Sequence, residues 1–268
     1  MSDNTVPTLS GIYRYPIKSS AGQALGEARV TAEGLAGDRR FMLARPDGSF
    51  VTARRYPGLQ RVFARFDGEQ LAVYHDDHVA LVEPRSAFAG QPFETRLWAD
   101  AFPAWTTTIR LDAWFSRIVG EPVHLLWLGE RSNRYRDRIG TAVSFADGYP
   151  LLLTTQASLA DLNARTDGSH VMAQFRPNIV VSGNHAFAED GWQRIRIGEV
   201  VFRVAKPCGR CVMITVDPAR GERRADGEPM RTLARYRKDA DNEVCFGQNL
   251  VVETAGMLVV GQPVEILE

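Results

Sequence analysis

The sequence predicts a mainly β protein with a few short helices. Three observations carry this. Short β-prone runs recur through residues 8–110, separated by turn residues. Asp47-Gly48 and Asp67-Gly68 each sit between apolar runs, and Asp-Gly in that position is a strong hairpin signal. The C-terminal segment from Leu250 to Leu267 again alternates short apolar runs with turns. Regular strand spacing with few helical patterns belongs to a sandwich or a barrel.

Taken in order, Phe41–Ala44 and Phe50–Ala53 flank Pro46-Asp47-Gly48, and Val62–Phe66 and Leu71–Tyr74 flank Asp67-Gly68. His78–Val82 is a further strand. Asp112–Gly120 predicts a short helix: Asp112 can cap it, Trp114, Phe115, Ile118 and Val119 share a face, and Gly120 stops it. Val123–Trp127 follows as strand. The basic run Arg131–Arg138 reads as a solvated mobile loop or as a positive rim around an anionic ligand. It is also the natural seam between a first part, 8–125, and a second, 126–268. Pro150–Leu153 leads as a strand into a capped helix over Thr154–Asn163. Asn178–Val181 is a strand, and Ile195–Ile197 with Val200–Ala205 forms a hairpin that delivers the chain to Cys208. The β-branched Val212–Val216 is expected to leave the cysteines as another strand, and Pro229 opens a short basic helix through Lys238.

Composition bounds the function. At 268 residues, 44% of them hydrophobic, the chain can build one large or two smaller soluble domains. Lys+Arg and Asp+Glu are equal at 32 each, which gives no general reason to expect a nucleic acid or an anionic membrane as partner. No apolar run reaches the roughly 18 residues of a membrane span. The N-terminus lacks a basic region before an apolar core, so no secretory signal is expected. Three cysteines cannot make a disulfide framework or hold a four-cysteine iron–sulfur cluster, and the expected compartment is the reducing cytoplasm.

Two of those cysteines stand in Cys208-Gly209-Arg210-Cys211. They can be small apolar residues at a strand entry, a dithiol pair, half a zinc site, or one thiolate ligand to a metal carried in by a cofactor. A thioredoxin-like motif would open a helix, and a zinc site needs two more ligands at matching spacing, which Cys245 and the scattered histidines do not provide. His75-Asp76-Asp77-His78 could bind a metal, although it sits at a hairpin end. Basic residues also recur at turns beside strands: Lys18 with Ser19, Arg39 beside Asp38, Arg176 before Pro177-Asn178, and Arg210. Such heads, with hydroxyls and free amides alongside, suit phosphate or another oxyanion. Asp147-Gly148-Tyr149-Pro150 is a turn whose amides could meet a polar ligand. Glu189-Asp190 before Trp192 is an acid/base pair or a capped turn.

Eight stretches occur together in one order: Tyr15–Ser19, Asp38-Arg39, Val51–Arg54, Ala157–Asn163, Phe175–Val180, Ala188–Trp192, Cys208–Cys211 and Thr215–Pro218. In these the chain resembles the MOSC-domain proteins, and within them the mitochondrial amidoxime reducing component and its bacterial YcbX-type relatives. The resemblance runs from about residue 9 to the C-terminus. It implies an N-terminal MOSC β-barrel part followed by the MOSC domain proper, and a molybdenum cofactor, a pyranopterin phosphate whose dithiolene holds molybdenum. By position, Cys211 matches the protein ligand to molybdenum. Lys18, Ser19, Arg39, Arg176, Asn178, Gly209 and Arg210 match cofactor contacts, and Gly148 and Tyr149 fall where relatives approach the pterin.

The resemblance further implies reduction of hydroxylamines, amidoximes and N-hydroxylated bases to amines. The alternative is a cofactor carrier or sulfur-transfer module without turnover. Relatives usually read Cys-Ser-Arg-Cys where this chain has Gly209. Longer bacterial relatives append a ferredoxin-like domain beyond the point where this chain stops, so the expectation is a separate electron donor of ferredoxin, flavodoxin or cytochrome b5 type.

Overall fold

A computed structural model describes residues 6–166, 168 and 170–268. Its centre is an eight-stranded sheet in the order Gln23–Leu25, Thr8–Arg14, Ile179–Ser182, Leu151–Thr155, Cys245–Thr254, Val200–Gly209, Arg194–Ile197, Val264–Ile266. Neighbouring strands run antiparallel except for one parallel pair, Leu151–Thr155 and Ile179–Ser182. A parallel pair needs a crossover. Here the helices Gln156–Ala164 and Met172–Phe175 supply it, and the chain re-enters the sheet directly after Arg176, Pro177 and Asn178. The inner face of the sheet buries Leu9, Ile12, Leu153, Ile179, Phe202 and Leu250 in one cluster.

The segment Thr8–Leu25 therefore lies in the same sheet as strands from the C-terminal half. A second sheet joins Phe41–Ala44, His124–Trp127, Asp100–Thr106 and Pro92–Leu97, and a third joins Phe63–Phe66, Gln70–His75 and His78–Pro84. Among the described residues these sheets are open, and no closed barrel forms. In chain order, the first and last strands of the large sheet meet through a single Thr8–Pro263 bridge and three backbone hydrogen bonds, Val264 N to Pro7 O at 2.7 Å, Leu9 N to Gln262 O at 2.9 Å and Gly261 N to Leu9 O at 2.8 Å, without forming a named ladder. One close crossing requires glycine: Gly247 has φ +80°, and a Cβ there would lie 2.5 Å from Leu153 O, in the neighbouring strand.

The hairpin across Asp67-Gly68, the helix after Leu151–Thr155, the hairpin into Cys208 and the helix Met230–Tyr236 form as the sequence predicts. Four local expectations are corrected. Phe50–Ala53 makes one bridge, Phe50 to Ala44, and one hydrogen bond, Val51 N to Leu43 O, but no ladder. The helix Ile109–Val119 is capped by Thr108, which accepts from Leu111 N, and not by Asp112. Asp112 lies inside the first turn, and its carboxylate instead accepts from Leu125 N at 2.8 Å and meets His124 Nδ1 at 2.7 Å. In the basic run, Arg134 is only 3% exposed, because it donates to Asp100, Ser144 O and Ala146 O and pins the strands it crosses. Finally, Val212–Thr215 is a 3-10 turn and not a strand. Ile214 N donates to Cys211 O and Thr215 Oγ1 to Val212 O, and Ile214 is buried with Phe175 and Phe246. Packing of one isoleucine overrides the β propensity of its neighbours.

Candidate functional site

Six loops converge beside the large sheet, five of them next to a strand end. Lys18-Ser19 follows Thr8–Arg14, Arg39 precedes Phe41–Ala44, and Arg54 lies just beyond. Asp147–Tyr149 precedes Leu151–Thr155, Arg176–Asn178 precedes Ile179–Ser182, and Gly209–Cys211 ends Val200–Gly209. Together they enclose a cavity of about 360 Å³. All ten residues singled out in the sequence line it: Lys18, Ser19, Arg39, Gly148, Tyr149, Arg176, Asn178, Gly209, Arg210 and Cys211.

The backbone at these positions is unusual. Ser19, Arg39 and Arg176 have φ of 70°, 47° and 56°, the left-handed region that non-glycine residues avoid. Such conformations persist where the surroundings hold them, and they cluster at binding sites. Their side chains are held just as firmly. The Arg39 guanidinium pairs with Asp38, donates to Asn178 Oδ1 at 2.9 Å and lies over the Tyr15 ring at 4.5 Å. Arg176 lies over the same ring at 4.2 Å and donates to Ser20 O. Asn178 Oδ1 also accepts from Leu152 N, and its Nδ2 donates to Tyr13 O, so it locks the loop to the sheet. Tyr15 is the buried platform under both arginines; burial pushes its hydroxyl pKa up to about 12, so it stays neutral.

The electrostatics are strongly one-sided. Lys18, Arg39, Arg54, Arg176, Lys206 and Arg210 line the cavity against Asp147 and Glu243, six positive groups less two negative. Burial lowers the pKa of Lys18, which Asp147 only partly offsets through a 2.6 Å contact. Against desolvation, Lys18, with Trp98 and Arg54, holds Asp147 well below the usual carboxylate range. Among the described residues Arg176 has no carboxylate contact, and desolvation pulls it down to about 10. The buried Nε of Arg210 has no hydrogen-bond partner among the described residues. A site with an excess of buried and half-buried cations and an orphaned donor suits an anion.

The sulfurs face this anion site. Cys211 is half-buried, and Arg54 Nε donates to its Sγ at 3.3 Å. Cys208 lines the same cavity, with Arg210 Nη1 donating to its sulfur at 3.0 Å, so it is not merely a packed neighbour. Cys245 is buried, and burial pushes its thiol up to about 11. A Cβ on Gly209 would meet Glu243 Oε2 at 2.6 Å. Glu243 thus occupies the space a serine side chain would need, and Gly209 offers backbone only.

Two other sequence motifs lie elsewhere. At the hairpin end, Asp76 and Asp77 are both paired to Arg61, and among the described residues no cluster of three His, Cys, Asp or Glu side chains is placed to hold a metal alone. Ala188–Gly191 is a 3-10 turn docked by Trp192 in the core. Its Glu189 is 0% exposed and accepts from Ser158 Oγ at 2.7 Å and from Thr155 Oγ1, at the start of a helix. Burial raises its pKa. Because the folded state holds this proton more tightly than the unfolded chain, its share of stability falls as pH rises through the carboxylate range. Glu189→Gln removes the buried charge, so its Tm relative to wild type should rise between pH 4 and pH 8. A Tm difference that is flat over this range would refute the assignment.

Sequence reasoning missed Arg54, Asp147 as an acid, Tyr15 and Trp98. Arg54 and Tyr15 lay inside quoted motifs and could have been found there; Trp98, at a hairpin turn, carried no sequence signal.

Fold and site together define a β-rich protein with a cationic, thiol-bearing anion cavity. The match to known proteins makes this specific. Residues 140–265 match the MOSC domain and residues 6–122 match the MOSC N-terminal beta barrel domain. Mitochondrial amidoxime-reducing component 1 of Homo sapiens is 33% identical over 285 residues, covering 98% of this chain and 83% of that protein. Mitochondrial amidoxime reducing component 2 of Macaca fascicularis is 33% identical over 281 residues, covering 97% and 83%. The chain belongs to the MOSC-domain family, in its amidoxime-reducing component branch. Among solved structures, the YUAD protein from Bacillus subtilis aligns over 97% of this chain and 94% of that one, at TM-score 0.43 and 9% identity. No helix of the described residues is long and apolar enough to cross a membrane.

Proposed function

We propose that this chain is a molybdenum-cofactor oxidoreductase that reduces N-hydroxylated compounds to amines. The observation that carries the reading is the convergence of Lys18, Arg39, Arg176 and Arg210, far apart in sequence, around one cavity that also presents the Cys211 sulfur. The names of the relatives, amidoxime-reducing components, support the N-reductive direction. The residues fit the group: a soft sulfur for the metal, and a wall with more cations than carboxylates, with the orphaned Arg210 Nε, for an anionic pterin phosphate.

When bound, the cofactor supplies a two-electron redox centre for oxygen removal. The residues do the rest. Cys211 would ligate the metal. Arg54, donating to its sulfur, draws charge from the ligand and fixes its direction. Lys18, Arg39, Arg176 and Arg210 would neutralise the cofactor's negative charge, while Ser19, Gly148, Tyr149, Asn178 and Gly209 would offer it hydroxyl, amide and backbone groups. In the overall reaction one N–O bond breaks, two electrons and two protons are taken up, and amine and water leave. The electrons would come from a separate ferredoxin, flavodoxin or cytochrome b5-like donor. Three free thiols suit work in the cytoplasm.

Protein purified from a host that makes the cofactor is expected to contain molybdenum and to reduce a hydroxylamine or amidoxime with an artificial electron donor. Absence of molybdenum under those conditions refutes the reading. Molybdenum without turnover identifies a carrier instead.

A further inference from the structure

The hairpin between Pro92–Leu97 and Asp100–Thr106 closes through a two-residue turn, Trp98-Ala99, because Leu97 and Asp100 are paired. Trp98 has φ +58°. A turn of this kind favours Asn, Asp or Gly at that position, and a bulky side chain in the left-handed region carries strain. Burial does not explain the residue, since Trp98 remains 49% exposed. Of the six non-glycine residues with left-handed φ among those described, Ser19, Arg39 and Arg176 line the cavity and Trp98 stands beside it.

Its contacts explain the position. Trp98 Nε1 donates to Asp147 Oδ1 at 3.0 Å, and the Arg54 guanidinium lies over its ring at 4.5 Å from the centroid. Phe50 braces it edge-on at 5.1 Å. Asp147 is also held by Lys18 and lies 3.5 Å from Arg54 Nη2. These contacts fix a half-exposed indole at the cavity mouth. Through Arg54, that indole is one guanidinium away from the Cys211 sulfur.

A substrate that reacts at a metal on Cys211 must bring its N–O group past Arg54 and leave the remainder of the molecule outside. We propose that Trp98 is a substrate-positioning residue, the platform on which the flat, π-conjugated part of an N-hydroxylated compound stacks. The inference rests on the function proposed above. It sets a preference: a reacting group conjugated to an aromatic ring or planar base is taken over the same group on a small alkyl chain. Offset stacking on an exposed aromatic is worth a fraction to somewhat over 1 kcal/mol, so the preference due to Trp98 should be about three- to tenfold.

The test compares benzamidoxime with acetamidoxime, which share the reacting group, on the molybdenum-loaded enzyme. Trp98→Asn removes the indole and keeps a residue suited to the turn, and Trp98→Phe keeps an aromatic face without the Asp147 hydrogen bond. Trp98→Asn is expected to raise KM for benzamidoxime about three- to tenfold, with KM for acetamidoxime and both kcat values little changed. Trp98→Phe should retain most of the preference. Binding of the product benzamidine, followed by calorimetry, should weaken in parallel. An equal loss on both substrates would mean that Trp98 only holds Arg54 and Asp147, and would overturn the inference. No turnover of either compound by the wild-type enzyme would instead overturn the function on which it rests.

Discussion

Replacing Cys211 by alanine is expected to abolish reduction of N-hydroxylated substrates, whereas Cys208→Ala leaves most of it. Both sulfurs line the cavity, so the contrast does not come from access. Cys208 is engaged by Arg210 Nη1 at 3.0 Å, the same guanidinium that donates to Phe175 O at 2.7 Å, and losing it leaves that arginine anchored. Cys211 starts the turn Val212–Thr215, and among the described residues its sulfur is hydrogen-bonded by Arg54 Nε alone. Loss of a group that merely supports a metal ligand costs about 10- to 100-fold. Loss of the ligand itself should exceed that, while Cys208→Ala should cost well under tenfold. Metal content measured beside activity separates the effects: Cys211→Ala should lose both. Equal losses in the two variants would remove Cys211 from the role assigned to it.

The second large effect is expected at Arg176. Its guanidinium is half-buried, contacts no carboxylate among the described residues, and is already drawn down to about 10 by desolvation. A charge in that position costs stability unless an anion compensates it. Arg176→Met keeps much of the length and removes the charge. The cofactor-free variant should be at least as heat-stable as wild-type protein in the same state. When both are produced in a cofactor-competent host, the variant should retain about tenfold less molybdenum or lower still, as expected when a charge-assisted contact to a buried anion is lost. Arg39 would behave differently, because its removal strands Asp38, which is 2% exposed. An Arg176→Met variant with full metal content, or with a Tm far below wild type before loading, would show that Arg176 is structural.

The site was more legible than its surroundings. Lys18, Arg39, Arg176 and Cys211 stand in short motifs, and each sits at a strand end whose strand is itself readable from apolar runs. Such features depend on a few neighbouring residues. Arg134 was misread because its run, Arg131–Arg138, looks solvated from its composition; only the approach of Asp100, Ser144 and Ala146 makes a buried arginine tolerable. Trp98 was invisible for a similar reason. Nothing near it in sequence points to a site, and its partners Arg54 and Asp147 are 44 and 49 positions away.

The amino-acid sequence alone determined the mainly β character, the hairpin at Asp67-Gly68, the strand–helix unit at residues 151–164, and ten of the residues that meet at the cavity. These follow from local propensity, turn chemistry and motif. Tertiary structure decided the rest. It turned Val212–Thr215 from an expected strand into a 3-10 turn, because burying Ile214 against Phe175 and Phe246 outweighs β-branched preference. It left the sheets open, and it gathered six cations against two carboxylates around one sulfur. Charge balance over the whole chain is zero. The local imbalance exists only because the fold brings distant loops together beside one sheet, and electrostatic attraction for an anion depends on that distance and not on composition.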